Sequence, residues 1–255
     1  MEKLLTSIKD QSYTEIEIIA VDNFSSDRTY PLLKKYTRNV FRHGPERSAQ
    51  RNFGADKAKG KYLLIPDSDM ILTKDVIRGC VAAAENNARV KAVVIPEKSF
   101  GTGFWAACKT LERKCYENDQ SIEAARFFER KTFHSIGGYD EKITGPEDWD
   151  LPQRIRSKGF VIGRIKEYIL HDEGNLRLFT VVRKKYYYGL KLDAYLRKHP
   201  FRNNLSQTIY FLRPAFYRNW SLLLSHPFTT SGMFIMLFCE QVAGFAGFIK
   251  GRNQV

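Results

Sequence analysis

Two carboxylates, Asp67 and Asp69, leave the end of a short apolar run, Tyr62 to Ile65, in the triplet Asp67-Ser68-Asp69. Carboxylates so placed at a strand tip can hold a divalent cation beside a phosphate. The same triplet also occurs as a ligand-free surface turn, so other segments must decide between the two. Upstream, residues 46–58 predict a helix that carries Arg51, with Gly44 and Pro45 suited to a cap and a first helical position and Gly60 to a left-handed stop. Farther on, Gly145-Pro146-Glu147-Asp148-Trp149-Asp150 enters a second helix with three carboxylates in its first turn, an unusual concentration of acid at the end of a helix that favours negative charge.

Positioning such groups takes strands that end at one edge and helices that begin there. The run EIEIIAVD, Glu15 to Asp22, reads as a strand that delivers Asp22 and Asn23 to a loop, Ser25-Ser26-Asp27-Arg28-Thr29, which continues into a helix. Strands are predicted near residues 15–21, 38–42, 61–66, 91–96, 124–129 and 160–165, with helices near 2–11, 28–37, 46–58, 74–86, 103–117 and 147–158. That alternation argues for an α/β fold with a mostly parallel sheet flanked by helices, and ligands of such sheets gather at the carboxyl ends of the strands.

Taken together, VDNFSSDRT after an early strand, RSAQRNFGADKAKGKYLLIPDSD, GGYDE and GPEDWDLPQRIRSKG closely resemble the family 2 glycosyltransferases, in that family's order, over about residues 1 to 175. The resemblance implies the GT-A fold, an inverting mechanism and a nucleotide-activated sugar as donor. It assigns Asp22 and Asn23 to the nucleoside side of the donor and Arg51 to the nucleoside or diphosphate. Asp67 would contact ribose or sugar, and Asp69 would hold Mg²⁺ or Mn²⁺ with Asp67 beside it. His171, which follows a short apolar strand, would complete metal or diphosphate binding. The base that deprotonates the acceptor falls on the pair Glu147 and Asp148, with Asp148 preferred. Members of the family usually open with one more apolar strand, whereas this chain opens at Met1 already inside the first helix. The expectation is a shortened sequence record, because a missing central strand would leave unpaired backbone groups on its two neighbours.

Composition divides the chain near residue 175: a catalytic domain over 1–175 and a basic, aromatic, helical extension over 176–255. The formal net charge of +13 suggests a phosphate-rich partner, and no nucleic-acid recognition motif accompanies it. Cys80, Cys108, Cys115 and Cys239 show no metal-like spacing and suggest no disulfide framework, so a reducing cytoplasm is the default compartment. No signal peptide is read in the first residues, which mix charges. The apolar run Gly232 to Ile249 nears the length of a bilayer span, but Glu240 and Gln241 interrupt it, and the preceding segment mixes aromatic and basic residues. The extension therefore reads as peripheral or monotopic membrane-docking at the inner face, with a helical pair covering the sheet or joining subunits as the other reading. The functional reading is a metal-dependent transferase from a UDP- or GDP-sugar to a lipid-linked or polysaccharide acceptor. Its rivals are a degenerate nucleotide-sugar-binding subunit and a nucleotidyltransferase, which would need a triphosphate loop that is not visible.

Overall fold

A computed structural model of the chain describes residues 1–119, 122–199 and 209–253. Its residues divide into two units that interleave along the sequence, 1–96 with 124–170 and 97–123 with 171–255. The second unit thus takes in residues 97–123, a segment that the shift in composition near residue 175 does not flag; residues 200–208 and 254–255 of the expected extension lie outside the described residues.

Within the first unit the chain runs α1 (Glu2–Lys9), β1 (Ala20–Asp22), α2 (Thr29–Tyr36), β2 (Val40–Arg42), α3 (Arg47–Lys57), β3 (Tyr62–Leu64), β4 (Met70–Leu72), α4 (Val76–Glu85) and β5 (Val90–Val94). It then passes into the second unit for β6 (Glu97–Thr102) and α5 (Phe104–Cys115), and returns as β7 (Ala125–Glu129), α6 (Arg130–Ser135), α7 (Glu147–Ser157) and β8 (Val161–Arg164). Strand β9 (Ile169–Asn175) leads out again to α8 (Leu178–Leu190), α9 (Leu192–Lys198), α10 (Pro214–Arg218), α11 (Trp220–Leu224) and α12 (Pro227–Arg252).

Alternating strands and helices bear out the α/β expectation, while the strand directions are mixed. Strands β1 and β2 pair in parallel as one ladder, and the other ladder of the first unit runs β3-β7-β5-β8. In it β7 lies antiparallel to both β3 and β5, and β8 is parallel to β5. The reason is placement: Ala125, Arg126, Phe127 and Phe128 are all buried, so β7 is an interior strand covered on both faces, and its residue pattern carries no mark of direction. Cores form on both sides, with Met70, Val76, Cys80, Val93 and Phe127 in one cluster and Leu63, Ala92, Phe128, Leu151 and Ile155 in another. Of the predicted strand over 15–21, only its end enters the ladder, at Ala20–Asp22.

Both ends of α3 differ from expectation. Glu46, in extended conformation, is the residue before the helix, so Pro45 stays outside, and its carbonyl accepts a 2.6 Å hydrogen bond from Asn23 Nδ2. At the other end Ala58 turns extended and Gly60 is not left-handed. The stop comes from Glu17, whose Oε1 accepts the backbone N–H groups of Lys59 and Gly60 at 2.6 and 2.7 Å. A carboxylate some forty residues away thus does the work that a left-handed glycine does in a local cap.

The second unit is organised by α12, which runs against α5 and α8. Glycines let α8 and α12 approach to backbone contact: a Cβ added at Gly247 would meet the Tyr186 carbonyl oxygen at 2.1 Å, and one at Gly251 would meet that of Leu190 at 2.2 Å. Glu240, which interrupts the apolar run of the sequence, is buried here and binds Lys109 Nζ at 2.8 Å and Lys185 Nζ at 3.3 Å. Gln241 Oε1 accepts the Tyr210 N–H at 3.1 Å. Replacing Gly247 by leucine is expected to force the two helices apart at a cost of about 1–3 kcal/mol, which thermal denaturation would register as a midpoint lowered by about 2–10 °C. An unchanged midpoint would show that the seam tolerates a side chain.

Candidate functional site

The acidic motifs meet on one arginine. Arg51, on the second turn of α3, is nearly enclosed, with 7% of its side chain exposed. Its Nη2 donates to Asp67 Oδ1 at 2.7 Å and its Nη1 to Asp148 Oδ1 at 2.9 Å, with Glu147 Oε1 at 3.7 Å. The guanidinium lies 5.1 Å from the centre of the Tyr139 ring. Burial would lower the pKa of Arg51, but Asp148, Tyr139 and Asp67 outweigh it and hold it well above its ordinary value. The group is a fixed cation.

Local structure explains why these groups converge. Strand β3 ends at Leu64, and the turn over residues 65–69 carries Asp67 to the strand tip before β4 begins. Helix α7 starts at Glu147, so Asp148 and Asp150 share its first turn, as read from the sequence. The preceding loop is fixed by Asn52 of α3, which donates to the Tyr139 carbonyl at 2.9 Å and accepts the Tyr139 N–H at 2.9 Å. Gly138 in that loop has φ 61, and a Cβ there would meet Asn52 Oδ1 at 2.6 Å, so only glycine fits.

The three first-turn acids have separate surroundings. Glu147 is fully buried; its Oε2 accepts the Gly145 N–H at 2.6 Å and its Oε1 pairs with Arg47. Asp150, also fully buried, binds Arg154, which in turn donates to the carbonyls of Ile136 and Gly138. Asp148 alone of the three keeps a solvent-reaching side chain, 21% exposed. It can receive a proton from a molecule outside.

Asp67 is gripped from two sides. Besides Arg51, Arg126 of β7 brings Nη1 to 3.2 Å from Asp67 Oδ2. Burial pushes the Asp67 carboxyl up, but Arg126 and Arg51 outweigh it and hold it well below the usual carboxylate range. Asp69 stands exposed two residues on. Arg126 and Arg47 were not anticipated from sequence. A charged residue inside the buried run Ala125 to Phe128 is the signal that could have found Arg126.

Asp22 closes β1 with its side chain buried; its Oδ2 accepts the Ser25 N–H at 3.1 Å and faces Arg42 Nε at 3.6 Å. Asn23 is exposed, and Phe24 after it is 65% exposed with φ 54, a strained setting for a bulky residue. Gln50 of α3 donates to the Val21 carbonyl at 2.9 Å, so the tip of β1 sits beside the helix that carries Arg51. His171 belongs to the second unit, where its Nδ1 lies 3.4 Å from Glu97 Oε2. Among the described residues no group of three or more His, Cys, Asp or Glu side chains is arranged to hold a metal ion by itself.

Comparison with known proteins adds to this geometry. The family model described as glycosyl transferase family 2 matches residues 1–139. An uncharacterized glycosyltransferase of Haemophilus influenzae is 25% identical over 179 residues, covering 64% of this chain and 60% of the relative. The chain thus spans about three fifths of that relative. One from Methanocaldococcus jannaschii is 24% identical over 246 residues, covering 85% of this chain and 80% of its own. Among solved structures, the mannosyltransferase PcManGT from Pyrobaculum calidifontis, in complex with GDP-Man and Mn²⁺, superposes with a TM-score of 0.63 at 16% identity, over 95% of this chain and 82% of that one. Residues 1–349 of S. aureus TarS, in complex with UDP, superpose with a TM-score of 0.53 at 14% identity, over 99% and 87%.

The grip on Asp67 has a pH signature. A carboxyl whose folded pKa is depressed adds stability that is complete above its unfolded value, near about 4, and fades as the pH falls towards the folded value. Arg126→Gln removes one source of that depression. Its loss of stability to urea between about pH 6 and about pH 3 is expected to be smaller than that of the wild type; an equal loss in both would mean that Arg126 does not hold Asp67 ionised.

Proposed function

Because the chain belongs to glycosyl transferase family 2 and has the GT-A fold, we propose that it transfers a sugar from a UDP- or GDP-sugar to an acceptor hydroxyl with inversion at the anomeric carbon. The observation that carries the reading is Arg51, which joins the Asp67-Ser68-Asp69 turn to Asp148 through bonds of 2.7 and 2.9 Å. A donor-side motif and an acceptor-side carboxylate are thereby held within one side chain of each other.

In this reading the acceptor hydroxyl gives its proton to Asp148 while its oxygen forms a bond to the anomeric carbon. The bond from that carbon to the diphosphate oxygen breaks, and the electron pair leaves with the nucleoside diphosphate. Arg51 holds one oxygen of Asp148, which leaves the other to take the proton. Glu147 and Asp150, buried on Arg47 and Arg154, keep the start of α7 in place. Asp22 and Asn23, at the tip of β1, take the nucleoside side of the donor.

The residues fit a Mg²⁺ or Mn²⁺ ion that arrives with the donor. Asp69 is exposed at a strand tip with Asp67 two residues before it, and such ions are commonly held by one or two carboxylates, with phosphate oxygens and water completing the shell. When bound, the ion would offset the charge that develops on the leaving diphosphate. The Mn²⁺ of the PcManGT complex supports this choice. The acceptor is a lipid-linked glycan or a polysaccharide at the cytoplasmic face of a membrane, a reading supported by the basic extension and by the exposed apolar residues of α12.

Two substitutions test the scheme. Asp148→Asn is expected to leave donor binding nearly intact and to lower turnover by about 10²–10⁴; near-normal turnover in Asp148→Asn beside a dead Glu147→Gln would move the base to Glu147. Asp69→Asn is expected to abolish the Mn²⁺ dependence of GDP or UDP binding in calorimetry. His171→Ala, measured beside it, is expected to weaken that dependence less; metal dependence unchanged in both variants would show that neither residue holds the ion, and nucleotide binding that needs no metal in the wild type would exclude it.

A further inference from the structure

Helix α12 is apolar on both its sides. Its inward side buries Met233, Met236 and Leu237, with Glu240, 1% exposed and paired with Lys109 and Lys185, and the glycines that touch α8. Its outward side carries Phe228, Ile235, Phe238, Val242, Phe245 and Ile249, all exposed, with Phe228 at 86% and Phe238 at 60%. Their spacings of seven, three, four, three and four residues keep them on one stripe, about 30 Å long at 1.5 Å per residue. No charged residue interrupts it between Phe228 and Ile249 on that side, while Lys250 and Arg252 stand exposed at its end. A single exposed apolar side chain needs no explanation, but a continuous stripe of six marks a covered surface.

The charge of the same region says what covers it. Residues 176–255 hold twelve Lys or Arg and two acids, Asp193 and Glu240; Glu240 and Arg213 are buried and Lys185 pairs with Glu240, while Arg183, Lys184, Arg218, Lys250 and Arg252 stand exposed. A second copy would bring an equally basic face against the stripe. An anionic lipid surface offers what both parts need, acyl chains for the stripe and headgroups for the cations. Tyr217 and Trp220, on the short helices before α12, are 68% and 64% exposed and suit the boundary between headgroup and acyl chain.

Packing sets the orientation. Lys185 reaches Glu240 at 3.3 Å, so α8 lies level with the middle of the stripe, and its Arg183 and Lys184 are exposed there. Were α12 to cross a bilayer, these two cations would sit near the hydrocarbon centre. Lying flat, α12 buries only its outward stripe. We infer that the outward face of α12 docks the chain flat on an anionic lipid bilayer, without crossing it.

This surface rests on the membrane-face reading above and specifies it, and its test is separable from that of sugar transfer. The full chain is floated with vesicles of phosphatidylcholine and phosphatidylglycerol at low salt, without nucleotide, and GDP and UDP are titrated on the same protein without lipid. Flotation is expected with the mixed vesicles, and about tenfold weaker binding in the pair Phe238→Ser and Phe245→Ser. Arg183→Gln with Lys184→Gln is expected to weaken binding by a similar factor and to flatten its salt dependence, which keeps the inference testable if the phenylalanine variant fails to fold. Alkaline carbonate is expected to release the bound chain. Failure to float, retention in carbonate, or a dimer in light scattering that the phenylalanine variant dissolves would each overturn it, whatever nucleotide titration shows.

Discussion

A buried guanidinium must be surrounded by negative charge or not be buried at all, because an ion taken out of water without partners is strongly destabilising. Arg51 meets that condition with Asp67, Asp148 and Glu147, contributed by the turn after β3 and by the start of α7. The demand also runs the other way. Three carboxylates at one place would repel one another, and Arg51, Arg47 and Arg126 offset them. Each element that bears acid is thus held against an element that bears arginine, so α3, β7, α7 and the β3–β4 turn can be placed only together.

That mutual dependence explains what could be read in the chain and what could not. The positions of Asp67 and Asp69 at a strand end and of Asp148 at a helix start were legible because each sits beside a local signal, and Arg51 because it lies well inside its helix, whatever the exact ends. Arg126 was not, since a single basic residue inside an apolar strand looks like noise until its partner is known. The ends of α3 were misplaced for a similar reason: its stop is the Glu17 carboxylate, brought in from an extended segment far upstream, and the glycine rule weighs only local residues. Strand direction in the β3-β7-β5-β8 ladder was equally invisible, because a run buried on both faces looks the same read either way.

In the extension, sequence and structure differ over meaning more than over placement. Glu240 and Gln241 read as defects in an apolar segment, yet the first joins a buried network with Lys109, Glu112 and Lys185, and the second ties down the backbone at Tyr210. Burial pushes Glu112 up, but Lys109 and Arg213 outweigh it and bring its carboxyl to about 2, so Glu112 stays ionised throughout the physiological range. Glycines at 247 and 251 were overlooked because nothing in one sequence separates a glycine that loosens a helix from one that lets a second backbone approach.

The pairing of Lys109 with Glu240 also dictates an order of events during synthesis. The two residues are 131 positions apart, and α5, which bears Lys109, belongs with the C-terminal helices. As the chain leaves the ribosome, the described strands and helices of the first unit are out once residue 170 has emerged, while α5 still waits, its Lys109 and Glu112 paired only with each other and its apolar side uncovered. What it needs comes from residues 213–240: Arg213 and Glu240 for the charges, Phe216, Leu223 and Met233 for the apolar side. A premature stop or a frameshift before residue 240 would therefore do more than remove the helices that follow it. It would leave a middle segment, made much earlier, exposed to chaperones and proteases.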